Sequence, residues 1–199
     1  MAGKGSYAKG VAKREEILRT ALDVFARQGY RGTSLRELAD AVHLSQAGLL
    51  HYFDSKEELF AEILRVRDET DWETFADTGS AADTMIAVMR HNAAVPGLVQ
   101  LYATISSAAA EPSHPAHEFF VERYRLLREA IAESVTARQA ASELDAQLDP
   151  SKVAAILLAV ADGMQVQWLL DPELDLAEHV EYFWSLLGSV RGAGQASGS

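Results

Sequence analysis

The sequence predicts an all-α protein, with a small N-terminal unit of three helices and a larger C-terminal helical domain. Apolar residues recur at spacings of three and four along most of the 199-residue chain, which is the period of one helix face. Serines stand immediately before several of these runs, where they cap helices. All five prolines fall at or near junctions between runs, and no run alternates like a strand.

The N-terminal helices are predicted from their caps and apolar spacing. A first helix begins at Val11, after a flexible tail over residues 1–10. Thr33 and Ser34 supply the N-cap of a second helix, and Glu37 is placed to close a capping box. Ser45 caps a third, short helix that extends to Phe53. Because about three residues join the second helix to the third, the pair is predicted to form a helix-turn-helix.

A long fourth helix is predicted from near Lys56, after a cap at Ser55, to Phe75. The five helices that follow are predicted at about 81–94, 97–110, 115–140, 150–170 and 174–190. The predicted domains are a flexible tail over 1–10, a helix-turn-helix domain over 11–56, a second domain over 57–190 and a flexible tail over 191–199.

Charge is distributed unevenly along the chain. The formal net charge of −11 argues against a protein that coats nucleic acid or anionic membrane through its overall field. Residues 1–56, however, carry nine Lys and Arg against six Asp and Glu. This basic end on an acidic body is typical of a protein that binds an anionic partner through one end only.

Composition excludes several classes of protein. The chain has no cysteine, which excludes disulfide scaffolds, cysteine nucleophiles, zinc ribbons and iron–sulfur ligation. The N-terminus lacks the apolar segment of a signal peptide, so a cytoplasmic location is expected. The most apolar stretch, residues 153–170, contains Asp162 and two glutamines, which are costly in hydrocarbon. A buried helix, and no membrane span, is therefore predicted.

The predicted third helix has the side chains of a DNA-reading helix. Small residues at Ala47 and Gly48 would let its backbone approach base edges. Gln46 can pair with adenine, and His51 can bond a base or a phosphate. Hydroxyls and free N–H groups at helix starts, together with a lysine, suit phosphate oxygens; these residues are Thr33, Ser34, Ser45 and Lys56. Helix pairs also occur as plain packing units, and the pattern alone does not decide between the two roles.

The run TSLRELADAVHLSQAGLLHYFDSKEELFAEIL strongly resembles the DNA-binding domain of the tetracycline-repressor (TetR) family of bacterial transcription regulators, and REEILRTALDVFARQGYRG resembles its first helix. The resemblance implies phosphate contacts by Thr33, Tyr52 and Lys56, with Gln46, Ala47 and His51 near bases. Many members carry Tyr where this chain has Leu50, so a hydroxyl contact to the DNA backbone is missing, although Leu50 could pack on a thymine methyl.

The last two predicted helices are apolar on more than one side, so a second surface is expected to cover the additional apolar side chains. That surface could be the rest of the same chain, whereas the resemblance implies a homodimer through four helices. The predicted interface residues are Val153, Ile156, Leu157, Val160, Met164, Val180, Phe183, Trp184 and Leu187. Two copies would place two reading helices about 34–36 Å apart on a palindromic operator.

A small-molecule effector is expected among the middle helices, as the resemblance implies, and no cofactor is expected. The candidate lining residues are Trp72, Phe75, Met85, Met89, Tyr102, Ile105, Phe119, Tyr124, Asp162, Gln165 and Trp168. Gly163, inside a helix, indicates close helix approach or room for a ligand. The effector-bound state would misalign the two reading helices, which makes the protein a ligand-responsive regulator, most simply a repressor.

Two other functions fit parts of the sequence. His114, His117 and Glu118 could hold a divalent metal at a helix start, which would make a metal-responsive regulator. A helical protein-interaction adaptor without DNA binding is the other alternative. No nucleophile elbow, phosphate-binding glycine loop or HExxH motif occurs, so an enzyme is not predicted.

Overall fold

The structure, a computed structural model, describes residues 3–28, 33–75 and 77–189. These ranges hold nine helices and no strand. The helices are α1 (Gly3–Gln28), α2 (Leu35–Ala41), α3 (Gln46–Leu49), α4 (Lys56–Phe75), α5 (Ala81–Ala93), α6 (Pro96–Ala108), α7 (His117–Ala140), α8 (Pro150–Leu170) and α9 (Leu176–Ser189). The predicted all-α class is confirmed.

Most helix bounds lie within two residues of the prediction, with two exceptions. Helix α1 begins at Gly3, so residues 3–10 are helical and not the predicted flexible tail. Helix α3 ends at Leu49, four residues before the predicted end at Phe53. The predicted tail over 191–199 lies outside the described residues.

The chain divides into two compact units, of which the first comprises Met1–Glu73 and Val95–Phe120. In this unit α1 packs on α2 and α6, and α2 packs on α3. The core side chains include Ile17, Leu18, Phe25, Leu38, Leu49, Phe53, Leu59, Phe60 and Ile63, all at most 2% exposed. The first unit therefore joins α6 to the helix-turn-helix, whereas the predicted division after residue 56 stays a prediction.

The second unit comprises Thr74–Ala94 and Val121–Ser199. Here α9 packs on both α5 and α8. Ser80 and Asp83 form a capping box at the start of α5, and the Ala81 N–H donates to Ser134 Oγ of α7 at 3.1 Å. The Gln139 amide donates to two carbonyls of the loop between α7 and α8, at 2.8 and 2.9 Å. These bonds fix both loops against α7.

Helix α8 is long and apolar enough to cross a bilayer by length and composition alone, with a mean hydropathy of 1.6 over its most apolar window. Within the described structure 44% of that window is buried. Inside the helix, Asp162 accepts a hydrogen bond from the Tyr124 hydroxyl of α7. This polar pairing and partial burial favour the predicted role as a core helix.

Candidate DNA-binding site

The helix-turn-helix starts at a complete capping box. The Glu37 N–H donates to Ser34 Oγ at 3.2 Å, and the Ser34 N–H donates to Glu37 Oε2 at 2.7 Å. Hydrogen bonds from the backbone and then the side chain of Ser34 lower the pKa of the Glu37 carboxyl. The predicted cap of α2 is confirmed, and its two hydrogen bonds satisfy backbone N–H groups at the start of the helix.

The turn between α2 and α3 is built on His43, which has a φ of 56°. This left-handed conformation is uncommon for a residue with a side chain, although histidine tolerates it better than most. The Leu44 N–H bonds Ala39 O at 2.8 Å, and Lys13 Nζ of α1 bonds Val42 O at 3.1 Å. The lysine thus satisfies a carbonyl at the C-terminal end of α2, where a cation is favoured.

Helix α3 begins at the predicted cap, with Gly48 N–H donating to Ser45 Oγ at 3.0 Å. The helix is short because its hydrogen bonding changes after Leu50: the Tyr52 N–H donates to Leu49 O, three residues back. Phe53 still reaches the core, at 2% exposure, but from a non-helical segment. The apolar spacing that predicted a longer helix therefore describes burial correctly and backbone conformation incorrectly.

Arg14 of α1 holds the junction between α3 and α4. Its Nη1 lies 2.8 Å from Glu62 Oε2 and its Nη2 3.5 Å from Glu58 Oε1, both on α4. Its guanidinium carbon lies 4.8 Å from the centroid of the Phe53 ring. Sequence reasoning counted Arg14 only as one cation of the basic end, and nothing local in the sequence marks its partners, which lie 44 and 48 residues away.

The start of α4 is capped from both sides. The Glu58 N–H donates to Ser55 Oγ at 3.0 Å, which confirms the predicted cap. The Glu58 carboxylate accepts a hydrogen bond from the Asp54 N–H. In a standard capping box the donor would be the N–H of the cap residue, Ser55, one residue later. The non-helical segment after α3 is thus tied to the first turn of α4 by backbone and side-chain groups together.

Nine of the ten predicted DNA-contact residues are exposed or half-buried; they are Ser34, Ser45, Gln46, Ala47, Gly48, Leu50, His51, Tyr52 and Lys56. Thr33 is the exception, because it is only 7% exposed. Its phosphate contact, like the others, stays a prediction. The His51 and Tyr52 rings pack edge to face with centroids 5.9 Å apart. Lys56 Nζ lies 5.1 Å from the Phe60 ring centroid, which positions this exposed cation.

Several cations of the basic end are engaged in structural contacts. Lys13 pairs with Glu16 at 2.8 Å, Arg14 with the two α4 glutamates, and Arg36 with Asp40 at 4.0 Å. Lys56 makes no salt bridge with another described residue. Lys56 is therefore an exposed cation beside α3 that no salt bridge within the described part of the chain uses.

Glu62 is expected to make the first unit less stable at acid pH than at neutral pH. Burial raises the pKa of its carboxyl, but hydrogen bonds from Arg65 and Arg14 outweigh burial and leave the pKa below its ordinary value. Because the unfolded chain binds this proton more tightly, the stabilisation is present above the unfolded pKa of about 4.3 and is lost as the pH falls through the lowered pKa.

We therefore expect Glu62→Gln to cost about 1–2 kcal/mol at neutral pH and less at acid pH, where wild type has lost the same contacts. Urea unfolding measured from pH 7 down to strongly acid conditions would show the two stability curves converging. Glu73→Gln, an exposed change on the same helix, is the matched control. Curves for Glu62→Gln and wild type that stay parallel over the whole range would contradict this role.

The predicted effector residues are divided between the two units. Trp72, Tyr102, Ile105 and Phe119 lie in the first, and Phe75, Met85, Met89, Tyr124, Asp162, Gln165 and Trp168 in the second. In the first unit, Tyr102 and Ile105 are buried, whereas Trp72 is 51% exposed. In the second, Asp162 accepts from the Tyr124 hydroxyl and lies 3.5 Å from the Gln165 amide nitrogen. Their role in effector binding stays a prediction.

The predicted dimer-interface residues fall on two faces of α8 and α9. Five of them are at most 8% exposed within this one chain and so are covered already: Val153, Leu157, Met164, Val180 and Trp184. Ile156 is 52% exposed, and Val160, Phe183 and Leu187 are half-buried. The predicted set therefore combines side chains that this chain already covers with side chains exposed to solvent, and its role as a dimer interface stays a prediction.

The predicted metal ligands do not gather into a site. His114 Nδ1 accepts from the Ala116 N–H at 3.1 Å, and His117 Nδ1 lies 2.8 Å from Ala109 O. Among the residues that the structure describes, no group of three or more His, Asp or Glu side chains is placed to hold a metal. Both imidazoles serve the backbone of the loop before α7 instead.

Comparison with known proteins gives two family models. Residues 17–63 match the model for bacterial regulatory proteins of the tetR family, and residues 109–191 match the MftR C-terminal domain. Together the two matches cover more than half of the chain. The first contains α2 and α3 and parts of α1 and α4, and the second contains α7, α8 and α9.

Individual relatives agree with the models. The transcriptional regulator RutR of Escherichia coli is 44% identical over 63 residues, which are 32% of this chain and 29% of RutR. The transcriptional repressor AcnR of Corynebacterium diphtheriae is 30% identical over 125 residues, 61% of this chain and 62% of AcnR. The matches thus span less than two thirds of these relatives.

The fold is also similar to that of a solved structure. AibR, crystallised in complex with isovaleryl coenzyme A and operator DNA, superposes with a TM-score of 0.55 at 22% identity. The superposition covers 88% of this chain and 97% of AibR. With helix-turn-helix geometry, both family models and the whole-length fold in agreement, the chain belongs to the TetR family of bacterial regulatory proteins.

Proposed function

We propose that the protein is a cytoplasmic, non-enzymatic transcriptional repressor that binds a palindromic operator as a homodimer and is released by a small-molecule effector. The observation that carries the proposal is the start of α3, where Gln46, Ala47 and the partly exposed Gly48 follow the capping serine, Ser45. Family membership supports the same function. AcnR is a repressor, and AibR is described with operator DNA and a coenzyme A thioester.

The frame around α3 suits a reading helix because it leaves little freedom of orientation. Ser45 caps the helix, buried Leu49 anchors it, and Arg14 ties the segment behind it to α4. Gly48 also lies close to the cap: a Cβ there would stand 3.2 Å from Ser45 Oγ. Small side chains at the helix start therefore serve both the cap and the approach to base edges.

Dimerisation is supported by an apolar outer face on α8 and α9. On α8 this outer face consists of Ile156, Ala159, Gly163, Val166 and Leu170, spaced three and four residues apart. Leu170 is 82% exposed, and Tyr182 and Leu186 of α9 are 64% and 40% exposed. An exposed apolar stripe of this length is typical of a protein–protein interface. A two-fold pairing through it would supply the second reading helix.

DNA binding is tested on an operator selected from random double-stranded DNA with the wild-type protein. Lys56→Ala is expected to weaken binding to all sequences alike and to reduce the salt slope by about one, because one phosphate contact is lost. Gln46→Ala is expected to relax specificity at one base position by about 1–3 kcal/mol. Fluorescence anisotropy across salt concentrations measures both effects.

Lys152→Ala is the matched control, since Lys152 is an exposed lysine of the second unit. It should leave affinity, salt slope and specificity unchanged. The proposal fails if no sequence is enriched from the pool, or if Lys56→Ala and Gln46→Ala both bind the selected DNA like wild type.

A further inference from the structure

Arg67, in the middle of α4, is a buried arginine with spare hydrogen-bonding capacity. It is 4% exposed, and its Nε donates to Asp71 Oδ2 at 3.3 Å. Its Nη1 is closed to solvent and finds no acceptor within the described part of the chain. A guanidinium has five N–H donors, and a buried charged donor without an acceptor destabilises the protein. Arg67 can therefore bind a further acceptor besides Asp71.

The pairing with Asp71 leaves much of this capacity unused. It is a single contact through Nε, whereas a strong arginine–carboxylate pair is bidentate and shorter. Arg65, two residues earlier, shows such geometry on Glu62, with Nη2 2.7 Å from Oε2 and Nε 3.3 Å from Oε1. Asp71 also has a further interaction of its own. The positive charge of Arg67 is thus only partly compensated by this neighbour.

Aromatic rings lie beside the guanidinium. The carbon of the Arg67 guanidinium is 5.9 Å from the Tyr102 ring centroid. The Tyr102 ring lies 5.7 Å from Phe120, and Phe120 lies 5.0 Å from Phe119. We call these three residues the aromatic cluster; Tyr102 and Phe120 are at most 4% exposed. A buried cation next to a buried apolar surface matches a ligand with an anionic head and an apolar body.

We propose that Arg67 recognises the effector and that the effector is an organic anion, a carboxylate carried on an apolar body. The carboxylate would accept from Nη1 of Arg67, and the apolar body would lie against the aromatic cluster. The same positive charge disfavours quaternary ammonium and other cationic ligands. This inference rests on the proposed function and adds to it the chemical class of the effector.

Binding at Arg67 requires a local rearrangement, because Nη1 is closed in this structure. Tyr102 belongs to α6, and α6 packs on α1 within the first unit. Helix α1 in turn supplies Lys13 to the end of α2 and Arg14 to the start of α4. A displaced α6 would therefore move the helices that hold α3. Binding of the anion would in this way change the affinity for DNA.

The inference is tested by calorimetric titration of the full-length protein with two isosteric pairs, octanoate with octanamide and phenylbutyrate with phenylbutyramide. Each acid is expected to bind wild type about tenfold or more tightly than its neutral amide, as a charge-assisted hydrogen bond predicts. Arg67→Met is expected to abolish the preference while keeping the apolar contact.

Arg65→Gln is the matched control, because it removes an arginine from the more exposed side of the same helix. It should keep the preference for acids. If Arg67→Met does not fold, Arg67→Lys is the second variant. It keeps the positive charge but not the planar guanidinium, so it is expected to keep only part of the preference for acids. Equal binding of acid and amide to wild type, or no binding of either, overturns the inference, as does loss of the preference in Arg65→Gln.

The proposed function can fail separately. If wild type selects a palindromic DNA but binds acids and amides equally, only the assignment of the anion to Arg67 is wrong. If acids are preferred through Arg67 but no DNA sequence is selected, the site stands and the regulatory function fails.

Discussion

Phe60→Ala is expected to destabilise the first unit by about 3–5 kcal/mol, because it empties a filled site at the centre of its core. The Phe60 ring is 2% exposed and packs edge to face on Phe25, with centroids 5.3 Å apart and planes at 86°. It also carries Lys56 Nζ 5.1 Å from its centroid. The substitution should therefore weaken DNA binding even where the folded state persists.

Urea unfolding followed by circular dichroism measures this loss. Thermal unfolding gives a second measure, because each kcal/mol lowers Tm by about 2–4 °C for a chain of this size. Trp72→Ala is the matched control, since it removes an aromatic ring that is 51% exposed on the same helix. It should cost far less than Phe60→Ala. Similar losses for the two variants would mean that the Phe25–Phe60 pair is not the centre of the core.

Gly163→Glu is expected to convert a dimer of about twice 21.7 kDa into a monomer of 21.7 kDa and to remove tight operator binding. A Cβ at Gly163 would meet nothing within 4 Å inside the chain, so the substitution does not disturb the fold of the monomer. It places a charge in the outer face of α8, where a partner would have to bury it unpaired. Loss of one reading helix then leaves only half-site affinity.

Light scattering at micromolar concentration gives the mass, and anisotropy on the selected operator gives the affinity. Ser151→Glu adds the same charge on the same helix away from the outer face and should leave both unchanged. A Gly163→Glu protein that remains dimeric would show that the outer face is not the interface. A wild type that is monomeric would remove the dimer from the proposed function altogether.

The sequence predicts local structure well because the determining contacts are local. Ser34, Ser45 and Ser55 each accept from an N–H three residues ahead, and each was identified from spacing alone. The positions of the long helices follow from apolar periodicity and from prolines at their ends. The exception is α3, since Leu49 and Phe53 have helical spacing and equal burial, and only backbone hydrogen bonds distinguish a helix from a turn there.

Long-range contacts could not be predicted in this way. Arg14 binds glutamates 44 and 48 residues away, and one arginine among nine basic residues carries no local mark of that partnership. The interface residues show a related difficulty. Both stripes of α8 are apolar, so composition cannot tell which one is buried within the chain; Leu157 is fully buried, and Ile156 beside it is 52% exposed.

The first unit is discontinuous in sequence, since the chain leaves it after Glu73 and returns at Val95. During synthesis the first unit therefore cannot finish folding as soon as α1 to α4 have emerged from the ribosome. It must wait until α6 and the residues up to Phe120 have been added, which at about 5–20 residues per second takes several seconds more. For that interval the face of α1 that receives α6 is uncovered, and nascent chains are open to chaperones and proteases.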